Sequence, residues 1–499
     1  MVTRPSGGGT ARSMLRNTAA MAGSHLITWV ASFALIVHLP RGLGAAAFGR
    51  LNFIGAITGM MAIFIDFGTS ILVTREVARN RGRAAAYLTN VMALKVVTAL
   101  IGSVALVGVM ALAHQPPQVV HLAAILGLGM VIGTAGRLVD SILQAHEEVH
   151  KPALGLTIDK VVGAAVIVLL LRQGFGIIAV AWAGVIVAAL GLVRNAWWML
   201  RLTRPNVRLL SLGFMRRAMA ASMPFFLFAV FAKVYDKVDI TMLGMMTTDE
   251  VVGWYGAAYR LFQTLFFVSY ILQTVSFPVL SRLWSEKPEA YRRAAHRGFA
   301  LLAVAAVGVC VCTAALANPV VDALYTREKF PGTAAALQIL AAALFFQYLN
   351  TMVAMVLQTS DLQMRWTRAA ALAAVFNPAV NYLLIPRYGH LGAAITTVAT
   401  EALVMLLALR ACPPGIFDRR DALTVARALG AGAILACGLW LGLRWGLVPA
   451  LLIGLPLYAA ATIRLGALSR EEIALMVGAA RSIVPRSGRA TAEEPSDGA

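Results

Sequence analysis

The sequence predicts an all-α polytopic membrane protein of about fourteen transmembrane helices, and three observations carry that prediction. Of its 499 residues, 59% are hydrophobic and only 13% are charged, with a mean hydropathy of +0.76. A soluble chain of this length is about one quarter charged. Apolar runs of roughly twenty residues recur along the chain, each long enough to cross a bilayer as a helix. The runs do not alternate polar with apolar residues, as the strands of a membrane β-barrel would.

In chain order, the predicted helices cover 18–39, 50–72, 86–113, 120–144, 153–171, 176–199, 217–243, 251–280, 295–317, 333–358, 367–385, 391–411, 422–443 and 446–465. The basic start (Arg4, Arg12, Arg16) leads straight into a full-length first span, with no cleavable signal pattern. Short breaks with turn chemistry separate later spans: "HQPPQ", "RQGFG", "PRYGHLG" and "CPPG". The tail after about residue 482 is polar and is expected to be disordered.

The formal net charge is +20. In a soluble protein that would suggest nucleic acid; here basic residues gather in cytoplasmic loops by the positive-inside rule, and no nucleic-acid partner is expected. With the N-terminus inside, the cytoplasmic connections hold Arg75, Arg79, Arg81 and Arg83, then Arg201, Arg204, Arg208 and Arg216, then Arg282, Lys287, Arg292 and Arg293, then Arg419 and Arg420. On the opposite side "HQPPQ" has no Lys or Arg, and "MMTTDEVV" is acidic. An even number of spans then leaves both termini in the cytoplasm. Cys310, Cys312, Cys412 and Cys437 form no CxxC pair and read as small hydrophobes. The histidines show no metal-ligand spacing, so no metal or cofactor is expected.

The two halves share polar landmarks in the same order. "SILQAHE" (141–147) matches "MVLQTSD" (355–361), and "RQGFGIIA" (172–179) matches "RYGHLGAA" (387–394). Gln144 and Gln358, Arg172 and Arg387, and Gly174 and Gly389 keep offsets of 214 or 215 residues. This predicts a duplicated six-helix unit, the parallel kind of repeat with a pseudo-two-fold axis along the membrane normal. The expected organisation is a cytoplasmic segment 1–17, an N-lobe 18–200, a basic linker 201–216, a C-lobe 217–411, two further helices within 412–466 and a cytoplasmic tail 467–499.

Charges inside the spans are the candidate functional residues. On a lipid face at mid-bilayer each costs about 2.5–3.5 kcal/mol on insertion scales, so they should face the interior, pair, or line water. The first half carries Asp66, Lys95, Arg137, Asp140, Asp159 and Lys160; the second carries Lys233, Asp236, Lys237, Asp239, Arg260 and Glu401. Lys233 and Asp236 are three residues apart and can neutralise each other on one helix face. Asp66 can pair with Arg75 or Arg137. Asp66, Asp140 and Asp239, near helix ends, read as local pairing groups, whereas Lys95, Lys160 and Lys233 lie deeper and point to a polar interior. Asp159, Asp236 and Glu401 are the acids that could couple or pair. Asn377 and Asn381, one helical turn apart, can hydrogen-bond sugar hydroxyls or a neighbouring helix. No nucleophile triad, Walker loop or nucleotide fold is present, and no catalytic residue or built-in ATPase is expected.

One ordered series of segments adds a resemblance: "RGLGAAAFGRLNF" (41–53), "DFGTSILVTREVAR" (66–79), "DITMLG" (239–244), "VGWYGAAYRL" (252–261), "FPVLSRL" (277–283) and "LYTREKFPGTAAALQIL" (324–340). Over roughly residues 15–411 the chain resembles the oligosaccharide-lipid flippases, the polysaccharide-biosynthesis transporters of the superfamily that also holds multidrug exporters and lipid II flippases. The resemblance implies two six-helix lobes around a central cavity, working by alternating access. It implies translocation of an isoprenoid-diphosphate-linked oligosaccharide from the cytoplasmic to the periplasmic leaflet of a bacterial inner membrane, for surface polysaccharide assembly. Lys95, Lys160, Lys233, Lys237, Arg260, Asn377 and Asn381 are then candidate cavity ligands. Lipid-linked oligosaccharide and membrane lipids are the expected partners, with a polysaccharide polymerase and chain-length proteins as further candidates. The alternatives are an ion-coupled multidrug exporter, a lipid II flippase and a non-transporting membrane scaffold. The first span has no Arg between Arg16 and Arg41, unlike the arginine-rich first span of lipid II flippases. A scaffold has no reason to bear the cost of deep charges.

Overall fold

The computed structural model describes residues 7–468, with side chains from residue 27 onward except at 228 and 232. The expected disordered tail lies outside the described residues. Among those described, all regular structure is helical: α1 (Gly7–Asp66), α2 (Thr69–Arg79), α3 (Ala84–Leu112), α4 (Pro117–Ala145), α5 (His150–Arg172), α6 (Ile177–Leu200), α7 (Leu212–Met246), α8 (Asp249–Thr264), α9 (Phe267–Glu286), α10 (Pro288–Tyr325), α11 (Thr333–Thr359), α12 (Gln363–Tyr388), α13 (His390–Ala411), α14 (Arg419–Gly442) and α15 (Leu447–Arg464). Twelve segments are long and apolar enough to cross a membrane, or thirteen with α7, which bends by 43°, taken as one span. The first of them, Ile27–Arg79, has 53 residues. As one straight helix it would run about 80 Å, more than two bilayer cores of about 30 Å. The helix breaks at Gly44, whose φ of 75° and ψ of 170° only glycine adopts without strain. Two crossings in that segment make the count agree with fourteen.

Two predicted spans are broken. The helix expected over 50–72 stops at Asp66 and restarts at Thr69, with Phe67 and Gly68 in the left-handed region. Gly68 also touches α7: a Cβ there would lie 2.7 Å from Phe225 Cβ and 2.9 Å from the Ser222 carbonyl oxygen. Hydropathy does not register this break, because the apolar residues on both sides (Ile63, Phe64, Ile65 and Ile71, Leu72, Val73) keep the averaged run apolar. The helix expected over 251–280 divides between Thr264 and Phe267. Thr264 Oγ1 donates back to the Arg260 carbonyl at 2.8 Å, a bond that bends helices, and the next two amides tighten to i−3 carbonyls.

The sequence landmarks fall at matching places. Gln144 and Gln358 are each the next-to-last residue of a helix, α4 and α11. Three helix-ending turns carry a left-handed residue at corresponding positions: His114 and Thr326, 212 apart; Glu147 and Asp361, 214 apart; and Gly174 and Gly389, 215 apart. Four of these six residues are not glycine, so the shared backbone state is held by the turn and not by composition.

The chain divides into two compact units. One comprises 1–266, 316–343 and 364–407; the other comprises 267–315, 344–363 and 408–499. In the second unit α14 opens on a capping box between Asp418 and Asp421. Asp421 also meets His296 Nδ1 of α10 at 2.8 Å. Tyr458 of α15 donates to the Val304 carbonyl at 2.6 Å. The first unit holds all the charged candidates.

Candidate functional site

At one end of the first unit the turns of both sequence halves meet. Arg50 Nε lies 2.6 Å from Asp249 and its Nη1 2.9 Å from Gln118. Arg41 donates to the carbonyls of Ala323 and Leu324, the last turn of α10. Phe48 packs edge-on to Phe330 with ring centroids 6.4 Å apart. Beneath these contacts α1 and α8 pack backbone to backbone. A Cβ on Gly49 would sit 1.8 Å from the Asp249 carbonyl oxygen, and one on Gly253 2.1 Å from that of Ala45. On α7, a Cβ on Gly244 would sit 2.0 Å from Phe53. Segments 41–53, 239–244, 252–261 and 324–340 therefore share one location, and Gly49, Gly244 and Gly253 serve close helix contact. This end is sealed.

Arg260 of α8 lies next to these contacts, against α1. Its guanidinium sits 4.8 Å from the centre of the fully buried Phe48 ring. Its nearest side-chain acceptor is Asn52 Oδ1 at 3.5 Å, too long for a strong bond. No carboxylate pairs with it among the described residues. It lies within electrostatic reach of Tyr325, whose buried hydroxyl has no hydrogen-bond partner.

On α7, Asp236 serves two cations, Lys233 at 3.3 Å and Lys237 at 3.4 Å, and also accepts from Gln263 Nε2 at 3.1 Å. The pairing of Lys233 with Asp236 expected from their spacing is present. Sequence spacing did not reveal that Lys237 shares the same carboxylate, which leaves an excess of one positive charge. Lys237 also lies 5.6 Å from the Tyr259 ring centre.

Asp239 has different neighbours. It is buried and accepts from Asn381 Nδ2 at 2.7 Å, Thr397 Oγ1 at 2.9 Å and Tyr255 OH at 3.0 Å. Asn381 also donates to Asn377 Oδ1 at 2.8 Å, and Asn377 to Thr400 Oγ1 at 3.2 Å. All of these donors are neutral, and the buried Asn381 Oδ1 has no partner. A carboxylate beside a spare carbonyl oxygen and hydroxyls is a hard-oxygen set, suited to a proton or a small monovalent cation. Both asparagines are buried, Asn381 bonding Asp239 directly and Asn377 joining through Asn381. Asp239 was expected to pair locally; its partners instead come from α8, α12 and α13. Glu401 is buried and accepts a short hydrogen bond from Tyr235 OH.

The first-half charges are mostly spoken for. Lys95, expected to line a cavity, is fully enclosed: its Nζ lies 2.6 Å from Asp66 Oδ1 and 2.8 Å from Ser70 Oγ. Arg137 Nε stands 3.9 Å from the same carboxylate and is about half exposed. Asp159 is gripped by both ends of Arg194, at 2.7 and 3.0 Å, a fork-on-carboxylate pair. Asn195 donates to Asp140 at 2.8 Å. Arg194, six residues from the end of α6, is a partner that the sequence reading missed. Lys160 is exposed on α5 and has no ion-pair partner among the described residues.

A profile of the family described as "Polysaccharide biosynthesis protein" matches residues 14–284, more than half of the chain. The chain belongs to that family. A profile for "Lipid II flippase MurJ" matches residues 241–447. Two relatives from Haloferax volcanii are each 22% identical. One, a "Probable flippase AglR", matches over 81% of this chain and 84% of its own length; the other, a "Probable low-salt glycan biosynthesis flippase Agl15", over 75% and 78%. Among solved structures, a lipid II flippase MurJ in an inward closed conformation superposes with a TM-score of 0.73 at 15% identity, covering 89% of this chain and 97% of that one. An inward-facing multidrug resistance MATE family transporter gives 0.61 at 15% identity, covering 81% and 95%. The fold of this member of the polysaccharide biosynthesis protein family is thus that of the flippases and exporters, and it is a multi-pass membrane protein.

Proposed function

We propose that this protein moves an isoprenoid-diphosphate-linked oligosaccharide across the cytoplasmic membrane of a bacterium, from the inner to the outer leaflet, by alternating access between lobes 18–200 and 217–411. The flippase names of its relatives support the class. The observation that carries the substrate chemistry is Arg260, a membrane-embedded cation without a carboxylate, beside two lysines that share one acid. A site with spare positive charge suits a diphosphate, whose hydration it replaces by charge-assisted hydrogen bonds. It repels the organic cations a multidrug exporter would carry. In vesicles loaded with a labelled isoprenoid-diphosphate oligosaccharide, the purified chain should expose the label to an external glycosidase. Transport of organic cations without that exposure would overturn the reading.

In this reading both termini and the loops carrying Arg79 and Arg204 are cytoplasmic, and the end joined by Arg50 and Asp249 is periplasmic and closed. This closed state then takes substrate from the cytoplasmic side, and release requires Arg50 to leave Asp249 and Arg41 to leave the last turn of α10. A single cysteine at position 204 is expected to react with an impermeant maleimide only after cell lysis. Labelling of intact cells there would invert every assignment of side.

Asp239 is the position we assign to a coupling proton or sodium ion. Expelling a diphosphate from a negative interior gains about 2.3 kcal/mol per charge per 100 mV, so an ion would reset the carrier more than push the cargo. Asp239→Asn keeps the shape and removes the ionisable group. Its transport should lose dependence on a proton or sodium gradient and fall to the rate without one. A gradient dependence equal to that of the wild type would remove Asp239 from coupling.

A further inference from the structure

The connection between α6 and α7 is held in a way that a simple tether would not need. Asn90 of α3 is fully buried, and it accepts from Ser211 N at 2.7 Å while its Nδ2 donates to the Leu209 carbonyl at 2.8 Å. Its neighbour Thr89 accepts from Asn206 N at 2.9 Å. These two adjacent polar side chains of a membrane helix thus fix the ribbon 206–211 at three points. Asn206 also caps a short 3-10 turn, Val207–Leu209.

What the ribbon then presents is mixed. Arg201, Arg204, Arg208, Arg216 and Arg217 are all exposed, and among the described residues no carboxylate pairs with any of them. No Asp or Glu occurs between Asp159 and Asp236. Between the arginines, Val207, Leu210 and Leu212 are 80%, 52% and 84% exposed. Arg201 stacks 3.6 Å from the ring centre of Trp197, itself exposed near the end of α6. Large apolar side chains interleaved with unpaired arginines fit neither water nor hydrocarbon alone. They fit the headgroup–acyl boundary, where apolar side chains enter the acyl edge and guanidinium groups meet phosphate.

The depth agrees. Asn90 stands about 9 Å from the start of α3 at 1.5 Å per residue, and the 29 residues of α3 span about 43 Å against a core of about 30 Å. The overhang is about 13 Å for both ends together, so the ribbon is pinned close to the acyl boundary and not out in solvent.

We infer that the 201–217 connection is a docking site for the headgroups of anionic phospholipids. The arginines hold lipid phosphates, Val207, Leu210 and Leu212 anchor in the acyl edge, and Thr89 and Asn90 hold the backbone in place. This reading does not depend on the cargo, since it concerns bulk lipid and not a lipid-linked glycan.

The test uses the full chain in mixed micelles of phosphatidylglycerol and phosphatidylcholine, with retained lipid counted by native mass spectrometry. An arginine near an anionic surface contributes about fivefold in affinity. Arg204→Gln/Arg208→Gln should therefore retain phosphatidylglycerol about twenty-fivefold less well, while Arg419→Gln/Arg420→Gln, which removes the same charge from another loop, should match the wild type. Millimolar inorganic phosphate should not displace the lipid. Equal losses in both double variants, or displacement by phosphate, would overturn the site. In nanodiscs, a fluorophore on Val207→Cys should be quenched by lipids spin-labelled high on the acyl chain; absence of quenching would refute the anchoring.

Discussion

Replacing Arg260 with Gln should cut oligosaccharide translocation by roughly one to two orders of magnitude and leave the protein folded. A hydrogen bond to a charged group contributes about 1.5–3 kcal/mol, and a guanidinium offers a phosphate two of them at once. The folded state should survive for a structural reason. Truncating one member of a buried ion pair is damaging because the other charge is orphaned, and Arg260 has no carboxylate to orphan. What is lost is its stacking on Phe48 and a weak contact with Asn52. Arg260→Lys should restore translocation only in part, because an ammonium neither stacks flat on Phe48 nor forks onto two oxygens. Lys233→Gln should have a smaller effect, since Lys237 and Gln263 still hold Asp236. The measurement is translocation per molecule of monodisperse protein in vesicles. Arg260→Gln that transports at the wild-type rate would remove the diphosphate site from α8.

The sequence made the charged candidates visible because charge is costly in lipid, and it made Lys233 with Asp236 visible because partners one turn apart share a helix face. Partnerships across helices were not visible. Lys95 finds Asp66 29 residues away, and Asp239 collects Tyr255, Asn381 and Thr397 from three other helices. Periodicity and hydropathy describe one helix at a time, so they place a residue at a depth without naming what lies opposite. The same limit hid Arg194, which lies near a helix end where a basic residue is unremarked in a positive-inside reading. Glycine was ambiguous for a related reason. Gly49, Gly244 and Gly253 look like ordinary small residues of membrane helices, and only the facing backbone or ring shows that a side chain has no room there. The break at Gly44 falls between the helices expected over 18–39 and 50–72, where Pro40, Arg41 and Gly42 mark it, whereas the break at Gly68 falls inside the run expected over 50–72 and carries no turn signal beyond the glycine itself.

Lys95→Met should destabilise the protein by about 3–5 kcal/mol, the usual cost of breaking a buried ion pair from one side. The double variant Lys95→Met/Asp66→Asn should recover most of that stability. Lys95 has no exposed surface, and its ammonium is held by Asp66 and Ser70 where the chain leaves α1 for α2. Taking the lysine away leaves a carboxylate at a helix break already bent by the left-handed Phe67 and Gly68. Arg137, at 3.9 Å from that carboxylate, can soften the charge and argues for the lower end of the range. The unfolding midpoint by fluorescence-detected size exclusion separates two roles. If the pair is architectural, the single variant melts early, the double variant melts near the wild type, and the double variant still translocates. If Lys95 serves the cargo, the double variant is stable and silent. The enclosed geometry favours the first outcome, because an ammonium reaching a diphosphate from this position must first abandon Asp66 in the membrane.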